Sequence, residues 1–261
     1  MSTQKFQVQA TITRNARIQG DYFRLDFVMP DLPAVAQPGQ FVHVQIPGLE
    51  GHILRRPFSI FDTDAATGRL SLIYKVVGLG TEQLSHVPEG AVLDVVGPLG
   101  RPFSPLPAAS VIVAGGYGCA ATFLLAKQAT TPPTVLIGGR SQADILLVEE
   151  YRALGCEVLV STDDGSAGFH GRVTALLEEN HAKSPKAWLA SCGPIPMLRT
   201  LAELMPRLGI AGELSLDQAM CCGVGACFAC VTKVKDTSPQ GWKYARICYD
   251  GPVFPAEQLV F

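Results

Sequence analysis

The segment Cys221-Cys222-Gly223-Val224-Gly225-Ala226-Cys227-Phe228-Ala229-Cys230 nests its cysteines in one short loop, and Cys248 follows further on. Counted from Cys222 the spacing is C-x4-C-x2-C and then C-x17-C, which is the ligand pattern of a plant-type 2Fe-2S centre. Few features constrain a chain more, because four thiolates must wrap one compact cluster with amides aimed at the sulfurs. Gly223 and Gly225 permit that tight path, while Ala226 and Ala229 are small enough to let the loop close. Counting from Cys221 makes the first interval x5. Cys222 restores x4 and places a glycine directly after the ligand, so the set read here is Cys222, Cys227, Cys230 and Cys248. A structural zinc site is the other reading, but zinc usually takes two separated C-x2-C pairs rather than three cysteines in one loop.

Five of the eight cysteines fall in the last 41 residues. Cys119 opens a helical stretch and Cys156 a strand, and both read as small buried hydrophobes. Met1 to Asn15 alternates apolar and polar residues and lacks the apolar block of a signal peptide. No run reaches the ~18 apolar residues of a membrane helix. The expectation is therefore a cytoplasmic protein, whose thiols stay reduced. Lys and Arg number 21 against 23 Asp and Glu, a net charge of −2, with no long run of one sign. Neither nucleic acid nor an anionic membrane is an expected partner. Apolar residues make up 48% and charged residues 17%, against roughly 25% charged in an ordinary soluble domain. That excludes disorder, and it fits a surface partly covered by a partner or a chain that holds bound cofactors.

Composition changes twice along the chain. From Phe6 to about Pro105, β-prone runs (Phe6–Thr13, Tyr22–Val28, Phe41–Ile46, Arg56–Asp62, Leu70–Val77, Ala91–Val96) alternate with Gly/Pro turns. One short helix is expected, at Gly80–Ser85. This spacing predicts a small antiparallel β-barrel. Beyond Pro102, Pro105 and Pro107, apolar runs at Ser110–Ala114, Thr134–Gly138, Glu157–Val160 and Ala187–Ser191 alternate with helical patterns at Ala120–Gln128, Ala143–Leu154, Val173–Glu179 and Met197–Leu208. That alternation predicts a doubly wound α/β domain with a parallel sheet. From about Gly212 the pattern turns irregular. The expected organisation is a barrel over 1–104, an α/β domain over 105–211 and a small cysteine domain over 212–261.

In the barrel zone, Leu54-Arg55-Arg56-Pro57-Phe58-Ser59 sets a cation, an aromatic ring and a hydroxyl close together. A flavin needs such groups: a guanidinium for pyrophosphate, a ring against the isoalloxazine and a donor near its redox-active nitrogen. Ile73-Tyr74-Lys75 adds to this, and so does Gly78-Leu79-Gly80-Thr81, at a helix start whose amides can hold phosphate. In the α/β zone, Val113-Ala114-Gly115-Gly116-Tyr117-Gly118 runs from strand through a glycine turn into helix, and Ser191-Cys192-Gly193-Pro194-Ile195-Pro196-Met197 ends a later strand. Both turns fall at carboxyl ends of strands, where open α/β sheets bind nucleotides. Neither is a full G-x-G-x-x-G fingerprint.

Arg56-Pro57-Phe58-Ser59 resembles the R-x-Y-S flavin motif of the ferredoxin-NADP reductase superfamily, and Cys192-Gly193 with Met197 resembles its C-G-x-x-x-M motif. Over its whole length the chain resembles one branch, the electron-transfer subunits of NAD-linked (type B) dihydroorotate dehydrogenases. Cys222 to Cys227 and Asp250-Gly251-Pro252-Val253-Phe254 are the most specific stretches. Phe58 stands where the motif has tyrosine, so the ring is kept and its hydroxyl is not. The resemblance implies FAD, one 2Fe-2S cluster and NAD as an exchangeable substrate. Arg56, Pro57, Phe58, Ser59, Ile73, Tyr74, Lys75, Gly80 and Thr81 would hold FAD. Gly115, Gly116 and Gly118 would approach the nicotinamide nucleotide, with Cys192 and Gly193 near the face of hydride transfer, and the four named cysteines would bind the cluster. It also implies a partner, the FMN-containing catalytic subunit that oxidises dihydroorotate in pyrimidine (UMP) biosynthesis, with two copies of each chain.

A hydride carrier moves two electrons and a cluster moves one, so a flavin is expected between them. No general acid or base is assigned. His43, His52, His86, His170 and His181 are scattered and read as solvated or structural. The nearest alternative is a reductase subunit of another complex using ferredoxin and NADPH, for which Arg140-Ser141 would take a 2′-phosphate. An alternative of another kind is a zinc-binding scaffold without enzymatic activity.

Overall fold

A computed structural model describes residues 4–49 and 51–261; Met1–Thr3, the start of the alternating opening stretch, and Glu50 lie outside the described residues. The expected barrel is present. Strands β1 (Phe6–Gln19), β2 (Tyr22–Val28), β3 (Phe41–Gln45), β4 (Arg56–Asp64), β5 (Arg69–Lys75) and β6 (Val92–Leu99) close antiparallel in the order β1-β2-β5-β4-β3-β6. β1 runs six residues beyond the expected Thr13, because it pairs with both β6 and β2 and bends through two register shifts. Its interior is filled by side chains such as Leu25, Phe27, Val42, Val44, Phe58, Leu72, Tyr74 and Leu93. Two short helices accompany it, α1 (Leu32–Val35) and α2 (Leu79–Ser85).

The second unit is a sheet built on parallel strands β7 (Ser110–Gly115), β8 (Thr134–Gly139), β9 (Glu157–Thr162), β10 (Phe169–His170), β11 (Trp188–Cys192) and β12 (Ala211–Ser215). β7 lies between β8 and β11, so the chain winds outward in two directions from β7. The crevice of a doubly wound sheet opens at that switch point. Helix α3 (Gly118–Lys127) is apolar on almost every side and buried along nearly its whole length, as expected of a helix enclosed all round: the sheet covers one side and strand β4 another. The helical pattern over 143–154 breaks into a single tight turn at Gln142–Asp144 and helix α4 (Val148–Ala153), because Leu147 takes a left-handed conformation between them. Helices α5 (Val173–Lys183) and α6 (Ile195–Leu208) cover the opposite face of the sheet from α3 and α4, and α6 ends at Gly209 in the left-handed cap position.

The stretch expected to be irregular after Gly212 carries more order than its sequence shows. β12 continues the sheet across 211/212, and β15 (Val253–Pro255) adds to it antiparallel. Between them, β13 (Val231–Lys235), β14 (Trp242–Arg246) and, at the end of the chain, β16 (Leu259–Val260) form a separate small sheet, with the one-turn helix α7 (Ile247–Asp250) following β14. One continuous core joins this region to the rest, with Phe41 and Leu99 of the barrel, Leu189, Leu198 and Leu214 of the α/β sheet, and Cys230, Ile247, Cys248 and Phe254.

Candidate redox site

The cysteine loop takes the path its glycines allow. Gly223, Gly225 and Phe228 all have positive φ, at +70°, +83° and +58°. Cys230 and Cys248 are buried, Cys221 and Cys222 half-buried and Cys227 exposed. The Cys227 thiol hydrogen-bonds both Cys221 and Cys222, and the thiols of Cys230 and Cys248 hydrogen-bond each other. The Cys248 amide also donates to Cys230 Sγ at 3.4 Å, and the Ala226 amide to Cys222 Sγ at 3.3 Å. Burial pushes the Cys222 thiol up, but the amides of Val224, Cys227 and Ala226 and the Cys227 thiol outweigh it and hold it at about 6. Burial, followed by the bond to Cys230, pushes Cys248 up to about 12. Among the described residues no group of three Cys, His, Asp or Glu side chains is spaced to hold one metal ion. Cys222, Cys227, Cys230 and Cys248, with backbone amides on the sulfurs of Cys222 and Cys230, offer the four thiolates that a 2Fe-2S cluster takes. Cys221 shares the Cys227 thiol with Cys222; what sets Cys222 apart is the amides of Val224, Cys227 and Ala226, which converge on its sulfur.

Arg246 ties the loop down: its Nη1 donates to Gly225 O at 3.1 Å, its Nε to Asp250 at 3.0 Å, and its guanidinium lies over the rings of Phe228 and Tyr249 at 5.2 and 4.6 Å. The sequence reading assigned it no role. The available signal was a cation four residues before an aspartate, among aromatics.

In the barrel the expected flavin residues divide between two faces. Arg56 and Gly80 come together, since a Cβ on Gly80 would stand 3.0 Å from Arg56 Nε. A bare glycine beside a half-buried guanidinium, at the start of α2, leaves the cradle a diphosphate requires. Thr81 Oγ1 accepts from the Val77 and Gly78 amides at 2.9 and 3.3 Å, which shapes that turn. Phe58 and Tyr74 meet edge to face at 5.8 Å inside the barrel, and Tyr74 donates to Asn15 at 2.9 Å. Pro57 and Ser59 alternate outward and stand opposite His43 and Phe41 on β3. Ile73 belongs to the core shared with the α/β unit. Lys75 pairs with Asp144 at 3.1 Å, and Tyr22 donates to the same carboxylate at 2.7 Å.

The two glycine turns stand against each other at the switch point. A Cβ on Gly193 would lie 3.0 Å from the Gly115 amide nitrogen, and one on Gly118 would overlap the Cys192 carbonyl at 2.2 Å. Gly116 has φ +55° and lies near the Tyr22 hydroxyl. Cys192 is 3% exposed, and burial followed by the charge of Asp217 pushes its thiol up to about 12. Tyr117 donates to Asp217 at 2.6 Å across the mouth of the first turn, a pair the sequence did not reveal. Arg140 is exposed just past β8. A cleft of about 570 Å³ beside β9 and β10, lined by Gln19, Gln142, Ile145, Val158 and Phe169 among others, holds none of these residues. It is an open groove at the sheet edge, away from the switch point.

Residues 217–260 match the family described as the iron-sulfur cluster binding domain of dihydroorotate dehydrogenase B, and residues 9–103 match the oxidoreductase FAD-binding domain. The chain is 38% identical over 244 residues to the dihydroorotate dehydrogenase B (NAD(+)) electron transfer subunit of Desulforamulus reducens, covering 92% of each. It is 35% identical to the subunit of the same name from Caldanaerobacter subterraneus, covering 98% of this chain and all of that one. The chain belongs to the dihydroorotate dehydrogenase B electron transfer subunits. A solved structure of an NADH-dependent reduced ferredoxin-NADP oxidoreductase superposes with TM-score 0.83 at 30% identity, over 96% of this chain and 89% of that one. The barrel is thus an FAD-binding domain of the ferredoxin-NADP reductase type, and the paired thiols belong to an iron-sulfur domain.

Among the described residues no helix is long and apolar enough to cross a membrane. The residue the sequence reading most clearly undervalued is His43. It is 1% exposed, and neither ring nitrogen has a hydrogen-bond partner. Burial, then the charge of Arg55, lowers its pKa to about 4, so the ring is neutral.

Proposed function

We propose that this chain carries electrons from the FMN of a partner dihydroorotate dehydrogenase subunit to NAD+, by way of a 2Fe-2S cluster and FAD, in the cytoplasmic synthesis of UMP. Bound FAD supplies the exchange between two-electron hydride chemistry and one-electron cluster chemistry. Cys222 and Cys227 would hold one iron, and Cys230 and Cys248 the other. Arg56, with Gly80 and Thr81, would take the pyrophosphate, while Pro57, Phe58, Ser59, Ile73, Tyr74 and Lys75 would flank the rest of the flavin. Gly115, Gly116 and Gly118 would let the nicotinamide nucleotide approach the backbone, with Gly193 at the facing turn. Cys192, held as a neutral thiol, would pack there rather than transfer a proton. The working division is a barrel over 1–104, a nucleotide domain over 105–211 and a cluster domain over 212–261, with β12 carrying the sheet across the last boundary.

The observation that carries this reading is that the fold brings Cys248 to Cys230 and Cys222 of the cysteine loop, in a chain of this family. Val224, Phe228 and Tyr249, exposed by 42%, 61% and 47%, surround the cysteine loop, and they support an FMN-bearing partner docked there, with two copies of each chain in the complex. The purified chain, loaded with FAD and cluster, should oxidise NADH with artificial acceptors and leave dihydroorotate untouched. Adding the FMN-bearing subunit should produce dihydroorotate-dependent NAD+ reduction. Comparable turnover by the chain alone, or failure of the two subunits to associate, would overturn the reading.

A further inference from the structure

In the sheet β11 lies between β7 and β12, and all three strands deliver residues to one rim at their carboxyl ends. Tyr117 follows β7, Cys192 and Gly193 close β11, and Asp217 follows β12. The Tyr117 hydroxyl donates to Asp217 Oδ2 at 2.6 Å, so a bond between the outer strand ends spans the Cys192-Gly193 turn of the middle one. Burial and then the charge of Asp217 push up the Cys192 thiol, which sets the carboxylate close to that sulfur. The other polar side chains at this rim are committed. Ser215 is buried and hydrogen-bonds the Cys192 thiol. Tyr22, near Gly116, is buried and donates to Asp144. Asp217 is exposed, and among the described residues the Tyr117 hydroxyl is its one hydrogen-bond partner. A carboxylate has about four acceptor sites, and this hydroxyl uses one of them.

We propose that Asp217 accepts the carboxamide N–H2 of the nicotinamide and so selects that ring, with Tyr117 holding the carboxylate over the turn until the carboxamide takes it. The inference rests on the nicotinamide site proposed above, at the facing turns of Gly115–Gly118 and Gly193. A carboxamide N–H2 carries two donors and a carboxylate only accepts, so the two groups are complementary. Glycine and proline dominate both turns and offer a nucleotide backbone alone, which leaves Asp217 as the side chain able to read the carboxamide. The exchange strands no donor, because Tyr117 is 43% exposed and its hydroxyl can turn to water. Asp217 also opens the stretch that matches the iron-sulfur domain. The cluster-bearing region would thus complete the substrate site of the α/β sheet.

The test uses the full chain with FAD and cluster bound, and calorimetry of two ligands. One is NAD+; the other is its acetylpyridine analogue, which keeps the ring charge and the carbonyl but has a methyl group in place of the N–H2. A site built to bond an N–H rejects the analogue that lacks it. The unaltered chain should therefore bind NAD+ about tenfold more tightly than the analogue, the effect of one hydrogen bond to a charged group. Asp217→Ala should bring that ratio close to one. A purely structural role would weaken both ligands together and keep the ratio, which overturns the assignment. Tyr117→Phe removes the competing hydroxyl, keeps the ring and should tighten NAD+ roughly threefold; unchanged or weaker binding overturns the exchange. A ratio near one in the unaltered chain overturns this inference alone, whereas failure of that chain to bind NAD+ overturns the nucleotide site beneath it. If Asp217→Ala loses FAD or iron, the ratio in the unaltered chain still decides.

Discussion

Against the nucleotide domain the barrel presents charged and amide side chains around an aromatic contact. Asp62 pairs with Lys127 of α3 at 2.6 Å and with Arg69 at 3.0 Å; Asp144 accepts from Lys75 and Tyr22; and Gln19 Nε2 donates to the carbonyls of Gln142, Ala143 and Ile145. Phe61 and Phe123 meet between these clamps at 4.6 Å. Against the cysteine-bearing domain it presents Phe41, Leu99, Gly100 and the orphaned ring of His43, and among the described residues no ion pair spans that seam. There the backbones themselves touch: the Arg101 amide donates to Gly251 O at 2.6 Å, and Gly100 has Pro252 and Phe41 directly over its α-carbon. Water can stand in for a lost partner in the first seam. In the second the polar contacts are few, chiefly Ser104 to Glu213, Lys5 over the Tyr249 ring and the bond at Gly251, so close packing carries more of the contact. That seam joins β3 and β6 of the FAD-binding barrel to the cysteine-bearing domain.

The sharpest test of that contrast is Gly100→Ala. Its φ is +79°, and a Cβ there would stand 2.4 Å from Pro252 Cδ and 2.9 Å from Phe41 Cε1. Overpacking together with the disfavoured backbone should cost about 3 kcal/mol, read as a lower urea midpoint at unchanged slope. A loss below about 0.5 kcal/mol, the range of ordinary surface changes, would show that the second seam yields as easily as the first.

A smaller effect is expected at the polar seam. Burial pushes the Asp62 carboxyl up, but its bonds to Lys127 and Arg69 outweigh that and hold it below the usual carboxylate range. Asp62→Asn should cost about 1.5 kcal/mol at neutral pH, the low end for a charged hydrogen bond because Lys127 is partly exposed. A carboxylate lowered in the folded state stabilises fully above its unfolded pKa of about 4, and that contribution disappears as pH falls further. The two proteins should therefore differ by a constant amount from pH 7 to about pH 5 and converge below about pH 4. Unfolding series that stay parallel into acid would remove Asp62 from the clamp.

The smallest effect concerns Cys221, whose thiol bonds Cys227 but draws none of the amides that converge on Cys222. Cys221→Ser should keep its iron per chain and change stability by less than about 0.5 kcal/mol, whereas Cys222→Ser should lose the cluster. Iron retained without Cys222, or lost only without Cys221, would move the ligand set by one residue.

The barrel strands, the parallel strands and the order of the three regions were legible in the sequence because each rests on local rules: alternation along a strand, apolar runs in a buried sheet, glycine and proline at turns. The cysteine spacing was legible for the same reason, since Cys222 to Cys230 must wrap one object within nine residues. The pairing of Cys230 with Cys248 came only from the fold, which stacks α7 on the end of the loop. So did the addition of Val253–Pro255 to β12, because an edge strand that short has no periodicity to read and is ordered by the partner it meets. Lys75 was assigned to the flavin from sequence, and only the register of β5 sets it against Asp144. His43 looked like one more scattered histidine until barrel closure turned it outward and the loop closed over it. Sequence alone determined which segments are strands, turns and ligand loops, since those depend on neighbours a few residues away. Which side chains face one another across the seams was decided by register and closure, which act over a hundred residues or more and leave no local trace.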